Sequence, residues 1–139
     1  MARFETDGLD DMIDAVLRMG KAGEAVGDDM LLAGAEEVRE AWKESAEKHE
    51  LKDTGDMIAS IGYARKPKDV GGVRSIDIYP QGKDRKGVRN AEKAFVLHYG
   101  TSRIKATHWV DDADEASGPK VQAAMERIYD DYLKKEGIT

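Results

Sequence analysis

The sequence contains no cysteine and few aromatic residues, which make up 6% of the 139-residue chain. Without cysteine, neither a disulfide framework nor a thiolate-rich metal site can form, and the chain suits a reducing cytoplasm. No apolar run approaches the roughly 20 residues that a membrane-spanning helix needs. The acidic start MARFETDGLDD is unlike a signal peptide. We therefore expect a single soluble domain over residues 1–139, with no membrane partner.

Charge is abundant but unevenly distributed. Charged residues make up 36% of the chain and the net charge is −6, which argues against general nucleic-acid binding. Residues 65–93 hold 9 basic and 4 acidic side chains, whereas residues 1–64 hold 7 basic and 16 acidic ones. This basic middle suits contact between copies of the protein or with a neighbouring protein, and it could also face DNA phosphates. The alternative is a set of solvated loop lysines.

Periodicity predicts two amphipathic helices in the amino-terminal half. Residues 1–19 have apolar positions at helical spacing, so residues 1–20 are expected to form a short helix or an arm. A longer helix is predicted from about Lys21 to His49, roughly 40 Å in length. It could pack within the chain or against another subunit. Thr54 and Gly55 then predict a turn.

Alternating patterns at about 61–65 and 73–79 predict two strands of a small antiparallel hairpin. Pro80 would end the second strand or place it at an edge. Residues 81–90, QGKDRKGVRN, have no apolar cluster and predict a long, basic, mobile loop, disordered in the free subunit. The basic residues of this loop are candidate interaction residues: Lys83, Arg85, Lys86 and Arg89. Arg103, farther along the chain, is a further candidate.

Residues 91–110 are the least polar stretch of the chain, and we expect the rest to be organised around them. A short helix over 91–98, capped by Asn90, should lead into a turn at Tyr99-Gly100-Thr101, where glycine tolerates positive φ. The large apolar side chains of the stretch are predicted to be core: Phe95, Val96, Tyr99, Trp109 and Val110.

After an extended stretch at 102–107, Trp109 should open a carboxy-terminal helix, with a break or kink at 117–119 where Ser-Gly-Pro occurs. Trp109 is also a candidate interaction residue, with His108 beside it in a contact surface. The elements together predict an α+β fold: long amphipathic amino-terminal helices, a small antiparallel sheet with a long basic loop, and a carboxy-terminal helix.

Candidates for chemistry are sparse. His98 and His108 flank the turn at Gly100, and Asp111 or Asp112 could complete a site of two histidines and one carboxylate. No pair at i, i+4 on a helix supports such a site, so the sequence predicts no metal and no cofactor. The acidic run that begins at Asp111 is better explained by a helix amino terminus than by calcium. No nucleophile has a plausible base, and we expect no enzymatic activity.

Several short motifs occur in an order that resembles a known family. Thr54-Gly55 is followed by Ser60-Ile61, then by the turn Tyr99-Gly100-Thr101, and then by Ala106 and Trp109 at the start of the last helix. Over roughly residues 20–136 the chain resembles the head–tail joining, or tail-completion, proteins of tailed phages, the HK-ninety-seven gene-product-ten-like family. Members usually carry proline just before that aromatic residue, where this chain has His108.

The resemblance implies a structural protein of the virion neck that joins the tail to the head. It would form a homo-oligomeric ring, contact other neck and tail proteins, and have possible contact with DNA in the ring lumen. Assembly would take place in the host cytoplasm, and no catalysis or cofactor is implied. Two alternatives stay open: a tail terminator ring that caps tail-tube polymerisation, and a small nucleic-acid-binding regulator that uses the basic hairpin.

Overall fold

The computed structural model describes residues 21–135 and confirms the α+β class. The short helix predicted over 1–19 lies outside the described residues. The described chain consists of two long helices that pack against each other, two small two-stranded antiparallel sheets and two shorter helices. In chain order the elements are α1 (Lys21–Lys48), α2 (Asp56–Ala59), β1 (Ile61–Gly62), β2 (Lys68–Val70), β3 (Val73–Ser75), β4 (Tyr79–Pro80), α3 (Asn90–Tyr99) and α4 (Trp109–Lys135).

Helix α1 packs along α4 within the chain. The buried stripe of α1 is rich in small residues, including Ala35, Ala41 and Ala46, and α4 meets it with small or β-branched residues such as Ala113 and Val121. Small side chains let two helix surfaces approach closely over their length. Of the helices among residues 21–135, none is both long and apolar enough to cross a membrane. The buried stripe of α1 thus packs mainly against α4 and other parts of the same chain.

A pair of tryptophans joins the carboxyl end of α1 to the amino end of α4. The rings of Trp42 and Trp109 meet edge to face with their centroids 5.4 Å apart, and both side chains are fully buried. Each indole N–H has an acceptor: that of Trp42 donates to Asp114 Oδ1 at 3.2 Å, and that of Trp109 to the Ala94 carbonyl at 3.3 Å. Ser45 Oγ also donates to the Trp109 carbonyl at 2.5 Å. These contacts set α1 and α4 antiparallel.

The predicted hairpin is present, but its two long strands are each divided. β1 pairs with β4, and β2 pairs with β3 across Gly71 and Gly72, so one antiparallel ribbon is interrupted in its middle. Ile76 and Ile78 lie between β3 and β4 and are buried, as their shared face predicts. Pro80 is the last residue of its strand. The ribbon packs its apolar face toward α1 and leaves its tip exposed.

Three details of the last third differ from expectation. α4 runs without a break through Pro119, although proline removes one helical N–H donor. The stretch 102–107, which was expected to be extended, begins with bends at 102–104. Asn90 does not cap α3 with its side chain: its Nδ2 donates to the Gln81 carbonyl at 2.9 Å, and the helix begins at Asn90 itself.

Candidate functional site

A tight corner joins α3 to α4, and Gly100 makes it possible. Gly100 has φ 77°, and a Cβ built there would lie 2.6 Å from the Ala106 nitrogen and 2.7 Å from the Ile104 carbonyl oxygen. Thr101 closes the turn, because its N–H donates to the Ile104 carbonyl and its Oγ1 accepts from the Arg103 and Ile104 N–H groups. The chain thereby folds back so that His108 N donates to the His98 carbonyl at 3.1 Å.

The outer face of α3 is aromatic and exposed. Phe95 and Tyr99 are 63% and 60% exposed, and their ring centroids lie 4.7 Å apart. Ile104, across the corner, is also exposed. The prediction that Phe95 and Tyr99 belong to the core is wrong, because α3 turns Ala94 and His98 inward instead. We call Phe95, Tyr99 and Ile104 the aromatic face.

An apolar cavity of about 250 Å³ opens beside the aromatic face. It lies between α2 and α3, and Ile104 contributes to both the cavity and the face. Its apolar lining includes Leu51, Met57, Val96 and Leu97. At the far side, Thr54 Oγ1 accepts from the Asp56 N–H at the start of α2, where Gly55 has φ 89°. The Thr-Gly turn therefore positions one wall of this cavity.

The basic loop at 81–90 has a defined conformation organised around Asp84. The Asp84 carboxylate is buried, accepts from the N–H groups of Lys86 and Val88 at 2.9 Å each, and forms an ion pair with Lys93 of α3. The Asp84 N–H donates to the Val88 carbonyl at 2.8 Å. Mobility of the loop stays a prediction, but these hydrogen bonds do not favour it. The role of Asp84 was not predicted from the sequence, because its ion pair with Lys93 depends on the tertiary structure.

The charge on Asp84 is stabilised by its surroundings. The hydrogen-bonded Lys93 and the backbone N–H groups hold the pKa of the Asp84 carboxyl below its ordinary value. A carboxyl whose pKa is lower in the folded state stabilises that state above its unfolded pKa of about 4. The contribution is lost as the pH falls from there through the lowered folded pKa. Acid should therefore weaken the hydrogen bonds that hold this loop.

Exchanging Asp84 for asparagine should loosen this loop. The amide NH₂ of asparagine would face the Lys93 ammonium where the carboxylate now neutralises it. We expect hydrogen exchange of the Lys86 and Val88 amides to become at least about tenfold faster, since each loses a charge-assisted bond. Asp53→Asn is the control, because Asp53 is exposed and reaches Lys86 only at 3.5 Å. Equal protection in wild type and Asp84→Asn would contradict this role.

The candidate interaction residues divide into paired and unpaired groups. Arg85 binds Asp56 through Nε and Nη2 at 2.9 and 2.8 Å, which lowers the pKa of the Asp56 carboxyl. Lys86 lies 3.5 Å from Asp53 and Arg89 lies 3.9 Å from Glu92. Within the described part of the chain, Lys83 and Arg103 form no ion pair and are exposed. Trp109, the remaining candidate, is buried and cannot contact a partner directly.

The two histidines beside the corner do meet. The rings of His98 and His108 have centroids 5.1 Å apart, and Asp111 Oδ2 lies 3.8 Å from His98 Nε2 and 3.6 Å from His108 Nδ1. His98 is buried, whereas the other two side chains are exposed. Asp112, the alternative carboxylate, instead pairs with His49 of the segment after α1 at 2.7 Å. From the sequence we expected that these histidines and one carboxylate could meet, but we predicted no metal there.

Two further titratable groups near the helix pair have shifted pKa values. Burial, joined by a hydrogen bond to Glu36, raises the pKa of Tyr63 to about 12. Burial also raises the pKa of Asp114, against the opposing effect of the Trp42 N–H. Both groups support packing around α1 and neither faces the apolar cavity.

Comparison of this chain with models of known protein families, with curated proteins and with solved structures finds no match.

Proposed function

We propose that this protein is a structural component of a tailed-phage virion, a tail-completion protein of the neck that joins the tail to the head as a homo-oligomeric ring. The order of the Thr54-Gly55 turn, the Tyr99-Gly100-Thr101 corner and the Trp109 helix start supports the resemblance on which this proposal rests. Its partners would be copies of itself and other neck and tail proteins, with possible DNA contact in the lumen. No catalytic reaction or cofactor belongs to this function.

The aromatic face is the observation that carries the assembly role. Two adjacent aromatic rings, each more than half exposed, leave apolar surface in water beside an apolar cavity. Contiguous exposed apolar patches mark interaction sites, and aromatic residues are enriched in the buried centres of interfaces. Burying such rings against a partner supplies much of the binding energy of an interface. We therefore infer that Phe95 and Tyr99 become buried against a partner when the protein assembles.

A ring also needs two different, complementary surfaces on each subunit. Lys83 and Arg103, which have no ion-pair partner among residues 21–135, supply positive charge. The outer faces of α1 and α4 supply negative charge, for example at Glu44 and Glu115, which are exposed. Attraction between the two would orient neighbouring subunits and speed their encounter.

Removing the gene from the phage or prophage tests the proposed function. We expect lysates of the deletion to contain free heads beside free tails. Overlong tails would favour the tail terminator. For the regulator, the supporting observation is the run of exposed basic residues at 83–89, and salt-dependent DNA affinity of the purified protein would favour it. Normal infectious particles from the deletion would contradict both virion roles.

Complementation of that deletion tests the aromatic face. The double variant Phe95→Ser, Tyr99→Ser should fold but lower the titre of infectious particles by at least about a hundredfold, because loss of two interface anchors costs roughly 3 kcal/mol or more. The matched control is Val70→Ser, Val73→Ser, which changes two exposed apolar residues at the tip of the ribbon. An undiminished titre from the aromatic variant, at equal protein level, would contradict the role of this face.

A further inference from the structure

Three potential metal ligands converge at the corner between α3 and α4. One ligand atom each from His98, His108 and Asp111 lies within 4.8 Å of the other two. They come from the end of α3, the residue before α4 and the first turn of α4. His108 and Asp111 are three residues apart in sequence, whereas His98 reaches them only because the chain turns back at Gly100.

Two of the three separations between ligand atoms are close to those around a coordinated ion. Zinc binds imidazole nitrogen and carboxylate oxygen at about 2.0–2.2 Å in tetrahedral geometry, which places neighbouring ligand atoms roughly 3.4 Å apart. The two histidine–carboxylate distances here are 3.6 and 3.8 Å. Side-chain adjustments of a few tenths of an ångström would bring the Asp111 oxygen to the tetrahedral separation from each imidazole. The ligand atoms of the two histidines, which lie within 4.8 Å of each other, would also have to approach that separation.

The backbone of the site is also held in place. His108 N donates to the His98 carbonyl, and the Thr107 N–H and Oγ1 both donate to the Leu97 carbonyl, so the two histidines cannot move apart freely. His108 itself has φ 51°, a left-handed conformation that residues with a side chain rarely adopt. Unusual backbone conformations of this kind cluster at ligand clamps and active sites.

We propose that His98, His108 and Asp111 bind one divalent transition-metal ion of the zinc class. Two imidazoles and one carboxylate are a donor set for zinc, nickel, cobalt or copper, and they are poorly suited to calcium or magnesium. The exposed side of the site leaves a fourth position open to water. The bound ion would link the end of α3 to the first turn of α4, beside the aromatic face.

One existing contact opposes the ion. The Val110 N–H donates to His98 Nδ1 at 3.3 Å, which places the proton of a neutral His98 on Nε2. Coordination through Nε2 moves that proton to Nδ1 and gives up the contact with Val110. The bond being lost is at the long end of hydrogen-bond distances, so this exchange lowers the affinity without blocking the site.

Calorimetric titration of the full chain with zinc chloride, after removal of any histidine tag, tests the proposal. We expect one ion per chain with a dissociation constant in the micromolar range or below. His108→Ala and Asp111→Asn, each at an exposed position, should raise that constant at least tenfold. His98 is left unchanged because its buried ring also supports the fold.

His49→Ala and Asp112→Asn are the matched controls. These two residues form a second imidazole–carboxylate pair, but no third ligand joins them within the described part of the chain. Each control should leave the zinc dissociation constant within twofold of wild type. Absence of saturable binding by the wild-type chain would overturn the proposal. So would a loss from His49→Ala equal to that from His108→Ala, since zinc would then be held by surface histidines in general. The outcome is independent of whether the protein acts in a phage neck.

Discussion

Replacing Trp109 with alanine is expected to lower the free energy of unfolding by about 3–5 kcal/mol. The indole is fully buried where α1, α3 and α4 meet, in edge-to-face contact with Trp42. Alanine would leave a large cavity, because backbone hydrogen bonds at the corner limit how far α3 and α4 can collapse into it. It would also remove the hydrogen bond that the indole N–H donates to the Ala94 carbonyl. Equilibrium denaturation in urea measures the change.

Phe95→Ala is the matched control for that measurement. It removes an aromatic ring fourteen residues earlier that is 63% exposed and contacts chiefly Tyr99. We expect it to cost less than about 1 kcal/mol, as surface substitutions usually do. Similar losses from the two variants would mean that Trp109 and Phe95 contribute alike to the core, contrary to the burial of the one and the exposure of the other.

Gly100→Ala is the second substitution with a large expected effect, about 3 kcal/mol or more of lost stability. Positive φ with an extended ψ is essentially restricted to glycine and costs other residues about 1–3 kcal/mol. The added methyl group would also meet the Ala106 nitrogen and the Ile104 carbonyl oxygen at less than 3 Å. Both are backbone atoms, so the corner itself must shift. Thermal or urea denaturation measures the loss.

Substitutions at two other glycines distinguish backbone strain from steric clash as causes of that loss. Gly87 has φ 84° but open space around its Cβ position, so Gly87→Ala should cost only about 1 kcal/mol, for the backbone conformation alone. Gly118 lies within α4 with open space and no positive φ, so Gly118→Ala should stabilise the protein by about 0.5–1 kcal/mol. A cost at Gly100 no greater than that at Gly87 would show that the close approach of Ala106 and Ile104 is unimportant.

Elements defined by long periodic patterns could be predicted from the sequence. Helix α1 was predicted over 21–49 and is observed over Lys21–Lys48, since apolar residues recur at helical spacing for seven turns. The start of α4 at Trp109 was also predicted. Gly100 was identified as the turn residue, because an apolar run ends there and polar residues follow. In each case the prediction depends on residues that are close together in the sequence.

Features set by tertiary contacts could not be predicted in the same way. α3 has apolar residues at four consecutive positions, 94–97, so periodicity does not say which of its faces is buried, and Phe95 was placed on the wrong one. In the sequence, Asp84 is one charged residue among several in a polar loop. Its ion pair with Lys93 of α3 depends on the tertiary structure. The convergence of His98 with His108 depends on the corner, which no spacing rule describes.

Position 108, just before Trp109, is usually proline in the phage family to which the proposed function refers, and it is histidine in this chain. Proline there would have φ fixed near −65°, whereas His108 has φ 51°. A proline at this position could not adopt the conformation of His108, whose carbonyl accepts from the Asp111 and Asp112 N–H groups. The same conformation turns the imidazole of His108 toward His98 and Asp111.

The protein composition of purified phage particles tests the central claim most directly. If this chain completes the tail, mass spectrometry of density-purified virions will detect it in a small, fixed number of copies per particle, and particles complemented with the Phe95→Ser, Tyr99→Ser variant will lack it. Complete, infectious virions that contain none of the wild-type chain would contradict a structural role in the neck.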